Sequence, residues 1–226
     1  MTPIKRFLSD LQTVQLLWAA QQRAFAGYGN SRRKARRTGD TIAGAIAEEH
    51  YRLHKTLVEA SAVRLATAWE VFLRELLEEY LRKRPAVLKR VWRFSGTRIR
   101  ADRGTVDGIL ESNRLPLQDL SRAREVLRQY LGKDLFAANQ KQVIDLTPVE
   151  HLIIVRNAVV HRGGDPTKKF HSALRTHRTA HGYLMSRPGV PGTLPATQFE
   201  RLLQMVARVA ELLYTRTWQL PRPIPK

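Results

Sequence analysis

The chain has 226 residues, 43% of them hydrophobic, which is enough to bury the core of one large domain. It carries 39 Lys and Arg residues against 20 Asp and Glu, a formal net charge of +19, and it has no cysteine. The missing cysteines exclude a disulfide framework, a thiolate metal site and a cysteine nucleophile. The excess of arginine and lysine predicts a polyanionic partner, most simply nucleic acid.

No segment of the sequence is typical of a membrane protein. Asp10, Gln12 and Gln15 interrupt the apolar residues near the N-terminus, unlike a signal peptide. No apolar run reaches the roughly 18 residues that a membrane-spanning helix needs. We therefore expect a cytoplasmic protein without a membrane partner.

Apolar residues recur at helical spacing through most of the chain, and no segment has the pattern of a strand. The pattern predicts an all-α fold with helices over 3–26 and 41–84, the second either continuous or bent, and shorter helices near 106–113 and 117–132. Thr147 and Glu150 form a capping box around Pro148 and open a helix that runs to His161. A second box, Thr197 with Glu200, opens the last helix, over 197–219.

We expect one domain over 1–226, with a core of about 40–164 plus the helix at 197–219. Three basic, irregular segments interrupt it, at 27–39, 95–108 and 165–195, and an extended proline-rich tail covers 220–226. The first basic segment is either a solvated loop or a flexible phosphate-binding arm. The candidate RNA-binding residues are Arg32, Arg33, Lys34, Arg36, Arg37, Arg98, Arg100, Arg103 and Arg162.

An apolar stretch at 152–155 leads into the sequence RNAVVHRGG at 156–164. A helix that is apolar all round is buried, so we expect 152–160 to be buried except at Arg156 and Asn157. Asn157 and His161 are four residues apart and share one helical face. Arg156 lies about 140° from His161 around the helix, within reach of its long side chain. This polar helix end is either satisfied by neighbouring helices or is a site.

These three residue types fit RNA cleavage without a metal, because RNA supplies its own nucleophile, the 2′-OH. A histidine can transfer the protons. An arginine can hold the phosphate and stabilise the transition state, and an asparagine can orient either group. The spacing alone favours the simpler interpretation, a core helix with a satisfied polar end.

The sequence RNAVVH resembles the R-N-x3-H form of the motif of HEPN domains, all-α domains found in many prokaryotic toxin–antitoxin and other defence systems. The stretch VRLATAWEVFLRELL is similar to a helix of the RiboL-PSP-type HEPN subfamily. The resemblance covers about 57–82 and 147–164. It implies a metal-independent endoribonuclease, without a cofactor, in which Arg156 and His161 are catalytic, Asn157 is supporting and Glu70 lies near the motif.

The resemblance also implies a homodimer that brings two motifs together, which would let two histidines share the acid and base roles. An antitoxin or another defence protein is a further expected partner. The chain departs from HEPN toxins that are controlled by adenylylation, because Gly163 stands where those carry a tyrosine. That mode of control is therefore not expected.

Two other groups of residues are candidates for functional sites, pairs of histidines as metal ligands and aromatic residues as base-stacking groups. His50 with His54, and His177 with His181, have the i, i+4 spacing of metal ligands, but neither pair has an evident third ligand, so exposed histidines and no metal are expected. Aromatic residues among basic ones could stack on bases, although Tyr51 has the pattern of a core residue. The residues concerned are Tyr28, Tyr51, Trp92 and Phe94.

Three functions remain open at this point. The first is a HEPN-type RNA endonuclease that acts as a toxin or defence effector. The second is a catalytically silent HEPN module that binds nucleic acid or docks a protein. The third is a helix-turn-helix DNA-binding protein, which only the charge and the helices favour.

Overall fold

A computed structural model of the chain describes residues 1–26, 33–34, 37–84, 87, 120–131, 144–162, 167–187 and 197–219. Within these ranges the structure contains helices and no strand, which confirms the all-α class. The helices are α1 (Pro3–Phe25), α2 (Thr41–Lys83), α3 (Leu120–Leu131), α4 (Thr147–Arg162), α5 (Lys168–Leu174), α6 (Ala180–Leu184) and α7 (Gln198–Gln219).

The long helices begin and end close to where the sequence predicts them. α1, α4 and α7 match their predicted segments within about two residues. α3 lies inside its predicted segment of 117–132, whose other residues are outside the described ranges. α2 is continuous over 43 residues, so the alternative of two helices with a bend is wrong. The predicted helix near 106–113, the loop at 95–108 and the tail at 220–226 lie outside the described residues.

The segment at 165–195 is less irregular than the sequence indicates. It contains two short helices, α5 and α6, and each begins after a threonine in extended conformation. The Thr167 hydroxyl accepts a hydrogen bond from Phe170 N, and the Thr179 hydroxyl accepts one from Gly182 N. Each threonine thus satisfies a backbone donor that a helix start leaves unpaired, which stabilises helices too short to show a periodicity.

The helix starts predicted at Thr147 and Thr197 have different outcomes. Thr197 N–H donates to Glu200 Oε2 at 3.0 Å and Glu200 N–H donates to the Thr197 hydroxyl at 3.3 Å, which is a reciprocal capping box. Thr147 instead donates its N–H to Asp145 Oδ1 at 3.0 Å. Hydrogen bonds from Thr147 lower the pKa of Asp145. Asp145 therefore stabilises the start of α4 and Thr147 lies inside the helix.

The chain divides into two compact units, and α1, α2, α4 and α7 contribute residues to both. The first unit contains 1–9, 67–153 and 204–226. Its core includes an aromatic cluster in which the Phe7 ring lies 5.0 Å from that of Phe72 and 6.3 Å from that of Trp69. All three side chains are buried. Pairing of Arg6 with Glu75 joins the exposed side of α1 to α2 within the same unit.

The second unit contains 10–66 and 154–203. Trp18 of α1 stacks on Phe199 of α7 at 4.2 Å between ring centroids, and both side chains are buried. The Trp18 indole N–H donates to Glu200 Oε1 at 3.2 Å, so the capping glutamate of α7 also satisfies a buried donor. This unit contains the C-terminal half of α4, and with it the Arg156–His161 motif.

Candidate functional site

The C-terminal half of α4 presents one buried and one open face. Leu152, Val155 and Ala158 are buried, whereas Val160 and His161 are exposed. The expectation that 152–160 is buried nearly all round is therefore wrong. Residues three apart follow one side of a helix, so the buried residues form a single stripe and the opposite side of α4 faces outward.

The open face of α4 borders a pocket of about 180 Å³ in the second unit. Asn157 and His161 both line it, as their four-residue spacing predicts. The other lining residues are Ile154, Ala158, Thr167, Lys169 and Phe170. A cavity of this size lies below the range typical of sites that enclose a whole small molecule.

Arg156 is half-buried and touches the site through its neighbour. Its Nη1 donates to Asn157 Oδ1 at 2.9 Å, and Arg156 does not itself line the pocket. The bond joins the first two polar residues of the motif and orients the Asn157 amide relative to the guanidinium. Asn157 thereby links the cation to the pocket that His161 lines.

Of the other predicted site residues, the structure describes Glu70, Arg33, Lys34, Arg37 and the backbone of Arg162. Glu70 is half-buried on α2 and belongs to the first unit, so its role stays a prediction. Arg33, Lys34 and Arg37 are exposed, in keeping with either a solvated loop or a binding arm. Arg162 is the last residue of α4. Arg32, Arg36, Arg98, Arg100 and Arg103 lie outside the described residues, as do Tyr28, Trp92 and Phe94.

Lys169 and Thr167 are pocket residues that the motif did not reveal. They follow His161 by eight and six residues, and the start of α5 places them across the pocket from α4. The sequence does contain a sign of this helix start, because Thr167 is of a residue type favoured at the N-cap and Lys168 and Lys169 follow it directly. A basic irregular segment gave no reason to single them out.

A second polar cluster forms between α2 and α6. The rings of His54 and His181 lie 5.3 Å apart, with Tyr51 5.4 Å from His181 and Phe25 4.8 Å from His54. His181 is buried, so the expectation of an exposed histidine is wrong there, and Tyr51 is exposed rather than in the core. The sequence pairs were i, i+4 neighbours, whereas the actual pairing joins one histidine from each.

Burial sets the ionisation of this cluster. Desolvation lowers the pKa of His181 to about 4, with smaller contributions from the charges of His54 and Lys55. Burial also lowers the pKa of His54. The Nε2 atoms of both rings are buried, and neither has a hydrogen-bond partner in the part of the chain that the structure describes. Among the described residues no group of three or more His, Asp or Glu side chains is arranged to hold a metal ion.

A larger pocket, of about 720 Å³, lies in the first unit, and each of its three glutamates pairs with a neighbouring arginine or lysine. Arg6 pairs with Glu75, and Arg82 Nη2 lies 3.0 Å from Glu78 Oε1. Opposite charges that pair across a surface leave little net attraction for a charged ligand. Its size alone therefore does not make it a better candidate than the pocket at His161.

Known proteins offer no match: no family model, no curated protein and no solved structure matches the chain. In the described part of the chain no helix is both long and apolar enough to cross a membrane.

Proposed function

We propose that the chain is a metal-independent endoribonuclease of HEPN type, acting in the cytoplasm as a toxin or defence effector. The observation that carries the proposal is the shared pocket of Asn157 and His161, with Arg156 hydrogen-bonded to Asn157. Asn157 and His161 thus share one pocket, and Arg156 adjoins it through its hydrogen bond to Asn157. The net charge of +19 favours a polyanionic substrate.

In this mechanism the 2′-OH of one nucleotide attacks the adjacent phosphorus, and the bond from phosphorus to the 5′-oxygen breaks. A base removes the 2′-OH proton and an acid delivers a proton to the leaving 5′-oxygen. The products are a 2′,3′-cyclic phosphate and a 5′-OH end. His161 is exposed in the pocket and performs the proton transfers, and Arg156 stabilises the charge that develops on the phosphate.

One histidine in the pocket favours a site shared by two copies of the chain. Of the histidines in the described ranges, His161 alone lines this pocket. Concerted acid–base catalysis needs a base and an acid at the same moment, which two His161 side chains from a homodimer would supply. An antitoxin or defence partner that covers this surface would silence the enzyme.

The proposal is tested by incubating the purified protein with total RNA in EDTA and analysing the product ends. We expect cleavage in EDTA with 2′,3′-cyclic phosphate and 5′-OH ends. His161→Ala should lower the rate by about 10²-fold or more, the range for loss of a general acid–base group. His151→Ala is the matched control, since it removes a histidine from the same helix that does not line the pocket.

The outcomes separate the alternatives. Products with a 5′-phosphate, or activity lost in EDTA, would contradict the mechanism and favour a metal-dependent nuclease. Binding of RNA without cleavage would favour the silent HEPN module. Tight binding to duplex DNA in place of RNA would favour the helix-turn-helix alternative. Circular dichroism of His161→Ala must match the unmodified chain for its inactivity to count.

A further inference from the structure

Within the described part of the second unit, the segment from Thr167 to Arg187 has the largest excess of basic over acidic residues. It contains five Lys or Arg residues and three histidines, with no Asp or Glu. Lys168, Lys169, Arg175 and Arg178 are all exposed, and we call these four residues the α5 basic surface. None of the four forms a salt bridge with a residue that the structure describes.

Buried apolar residues fix the orientation of this surface. Phe170 and Leu174 of α5 are buried, and the Phe170 ring lies 6.2 Å from that of the buried Tyr183 on α6. Because Phe170 and Leu174 hold one side of α5 against the core, Lys168 and Lys169 lie on the side that faces solvent. Lys169 also lines the pocket that contains His161, so the α5 basic surface is continuous with the candidate site.

The turn after α5 is ordered by three polar contacts. The His171 Nδ1–H donates to the Thr176 carbonyl oxygen at 2.6 Å, and Thr176 N–H donates to His171 O at 3.2 Å. Arg178 N–H donates to the Thr176 hydroxyl at 3.2 Å. These bonds hold the backbone that bears both arginines, so less conformational entropy is lost when they bind a ligand.

Arg175 occupies a backbone conformation that suits glycine better. Its φ of 48° and ψ of 47° lie in the left-handed region, at the end of α5 where glycine or asparagine is favoured. An arginine there costs stability without making a salt bridge among the described residues. Strained positions that persist against such a cost are concentrated at functional sites, which favours a role for the guanidinium in binding.

We infer that the α5 basic surface binds the phosphates of single-stranded RNA on either side of the phosphate that is cleaved, with Lys169 reaching into the pocket itself. The inference rests on the proposed function and deepens it. Contacts to phosphates are independent of the base, so this surface contributes affinity and position along the strand rather than sequence preference. Arginine and lysine side chains that form no salt bridge with the described residues can exchange their counterions for phosphates.

The test measures binding of the full chain to a fluorescein-labelled 2′-O-methyl oligouridylate, which lacks the nucleophile and cannot be cleaved. Affinity is followed by anisotropy across a series of salt concentrations. Changing Lys168, Lys169, Arg175 and Arg178 to Gln should weaken binding at least about tenfold. It should also flatten the slope of log affinity against log salt by roughly 3, since each phosphate contact on a single strand contributes about 0.7.

The matched control removes four other exposed cations that form no salt bridge with the described residues. These are Lys5, Arg23, Arg64 and Arg208, each changed to Gln. The control has the same net charge as the test variant and should lose less than about threefold in affinity, with a nearly unchanged slope. Equal losses in the two variants would mean that binding follows net charge alone, and would overturn the inference.

A single substitution separates binding from folding. Arg175→Gly relieves the left-handed conformation, so its Tm should rise by about 2–4 °C while its affinity for the oligouridylate falls. A rise in Tm with unchanged affinity would mean that Arg175 takes no part in RNA binding by the α5 basic surface. If the unmodified chain cleaves RNA but the four-residue variant binds as well as it does, the inference fails and the proposed function stands. If the unmodified chain binds no RNA, both fail.

Discussion

The buried His181 and the half-buried His54 each have a ring nitrogen that makes no hydrogen bond within the described residues. His181 is 8% exposed, and the atoms concerned are its Nε2 and that of His54. A neutral ring can be buried against Tyr51 and Phe25 as an aromatic surface, but a charged one there would need a partner or water. The titratable or charged groups that act on His181 are His54 and Lys55, both on α2, and both disfavour its protonation.

This pair predicts a loss of stability in mild acid. Burial lowers the pKa of His181 from 6.5 to about 4, so folded and unfolded states are equally deprotonated above pH 6.5. As the pH falls below 6.5, His181 becomes protonated in the unfolded chain, whereas in the folded chain it stays neutral until about pH 4. The free energy of unfolding should therefore fall by about 2 kcal/mol between pH 7 and pH 5, at roughly 1.4 kcal/mol for each pH step below 6.5.

Urea unfolding at pH 7 and pH 5 checks this prediction. His181→Phe keeps an aromatic ring against Tyr51 and His54 but cannot be protonated, so it should lose clearly less stability than the unmodified chain over that interval. His177→Ala, which removes an exposed histidine from the same segment, should keep the full loss. The same drop in all three proteins would assign the acid sensitivity to other groups.

The candidate site could be predicted in part from the sequence, and the limit is a physical one. Asn157 and His161 share a pocket because a helix places residues four apart on one face, and that relation is local. Lys169 lines the same pocket only because α5 lies beside α4, and His54 meets His181 only through the packing of α6 on α2. Contacts that depend on how helices pack have no signature in spacing along the chain.

At the level of single elements, the start of α2 shows how local chemistry defines a helix. Asp40 Oδ1 accepts the N–H of Ala43 at 2.9 Å, and the Asp40 carbonyl accepts the N–H of Gly44 at 2.9 Å. Asp40 is thus the N-cap of the longest helix in the described structure. Gly39, just before it, has a φ of +65° and turns the chain into the cap.

The two glycines beside this cap should respond in opposite ways to the same substitution. Gly44 lies inside α2 with no heavy atom within 4 Å of an added Cβ, so Gly44→Ala should stabilise the chain by about 0.5–1 kcal/mol. Gly39 has equal space, but its positive φ is unfavourable for alanine, so Gly39→Ala should cost about 1 kcal/mol. Thermal unfolding would show Tm shifts of opposite sign, and two shifts of the same sign would contradict the assignment.

The helices themselves were the most predictable part of the fold, because apolar periodicity over many turns is a strong signal. α5 and α6, with 7 and 5 residues, were missed because they are too short to establish a period. Their threonine caps were present in the sequence but resemble ordinary loop residues. The α4 start was misplaced by one residue because Asp145 competes with Thr147 as the capping group, and only the backbone conformation decides between them.

Across the whole molecule, the positive charge is distributed unevenly. α2, the longest described helix, has seven Glu against six Lys and Arg, so its surface is nearly neutral. The segment from Thr167 to Arg187 has five Lys or Arg and no acid. An excess of charge that is concentrated beside a pocket, rather than spread evenly, attracts a polyanion toward that pocket and speeds its association. The uneven distribution of the net charge of +19 therefore favours the proposal that the α5 basic surface binds a polyanion.

The proposal that two copies of the chain share one site leads to a prediction about mixed dimers. If each cleavage needs one His161 as base and the other as acid, a dimer of an unmodified chain with a His161→Ala chain has lost one of the two roles. Its rate should fall below about a tenth of the unmodified dimer, because losing one general acid–base group costs about 10²-fold or more. If each subunit cleaved on its own, the mixed dimer would retain about half of the rate, since half of its sites would be intact.

The two chains can be given different affinity tags, expressed together and purified in succession to isolate the mixed dimer, with a His177→Ala partner as the control that keeps full activity. Retention of half the rate by the His161→Ala mixed dimer, or full-rate cleavage by a chain that sediments as a monomer, would refute the shared site and leave His161 to act as base and acid in turn.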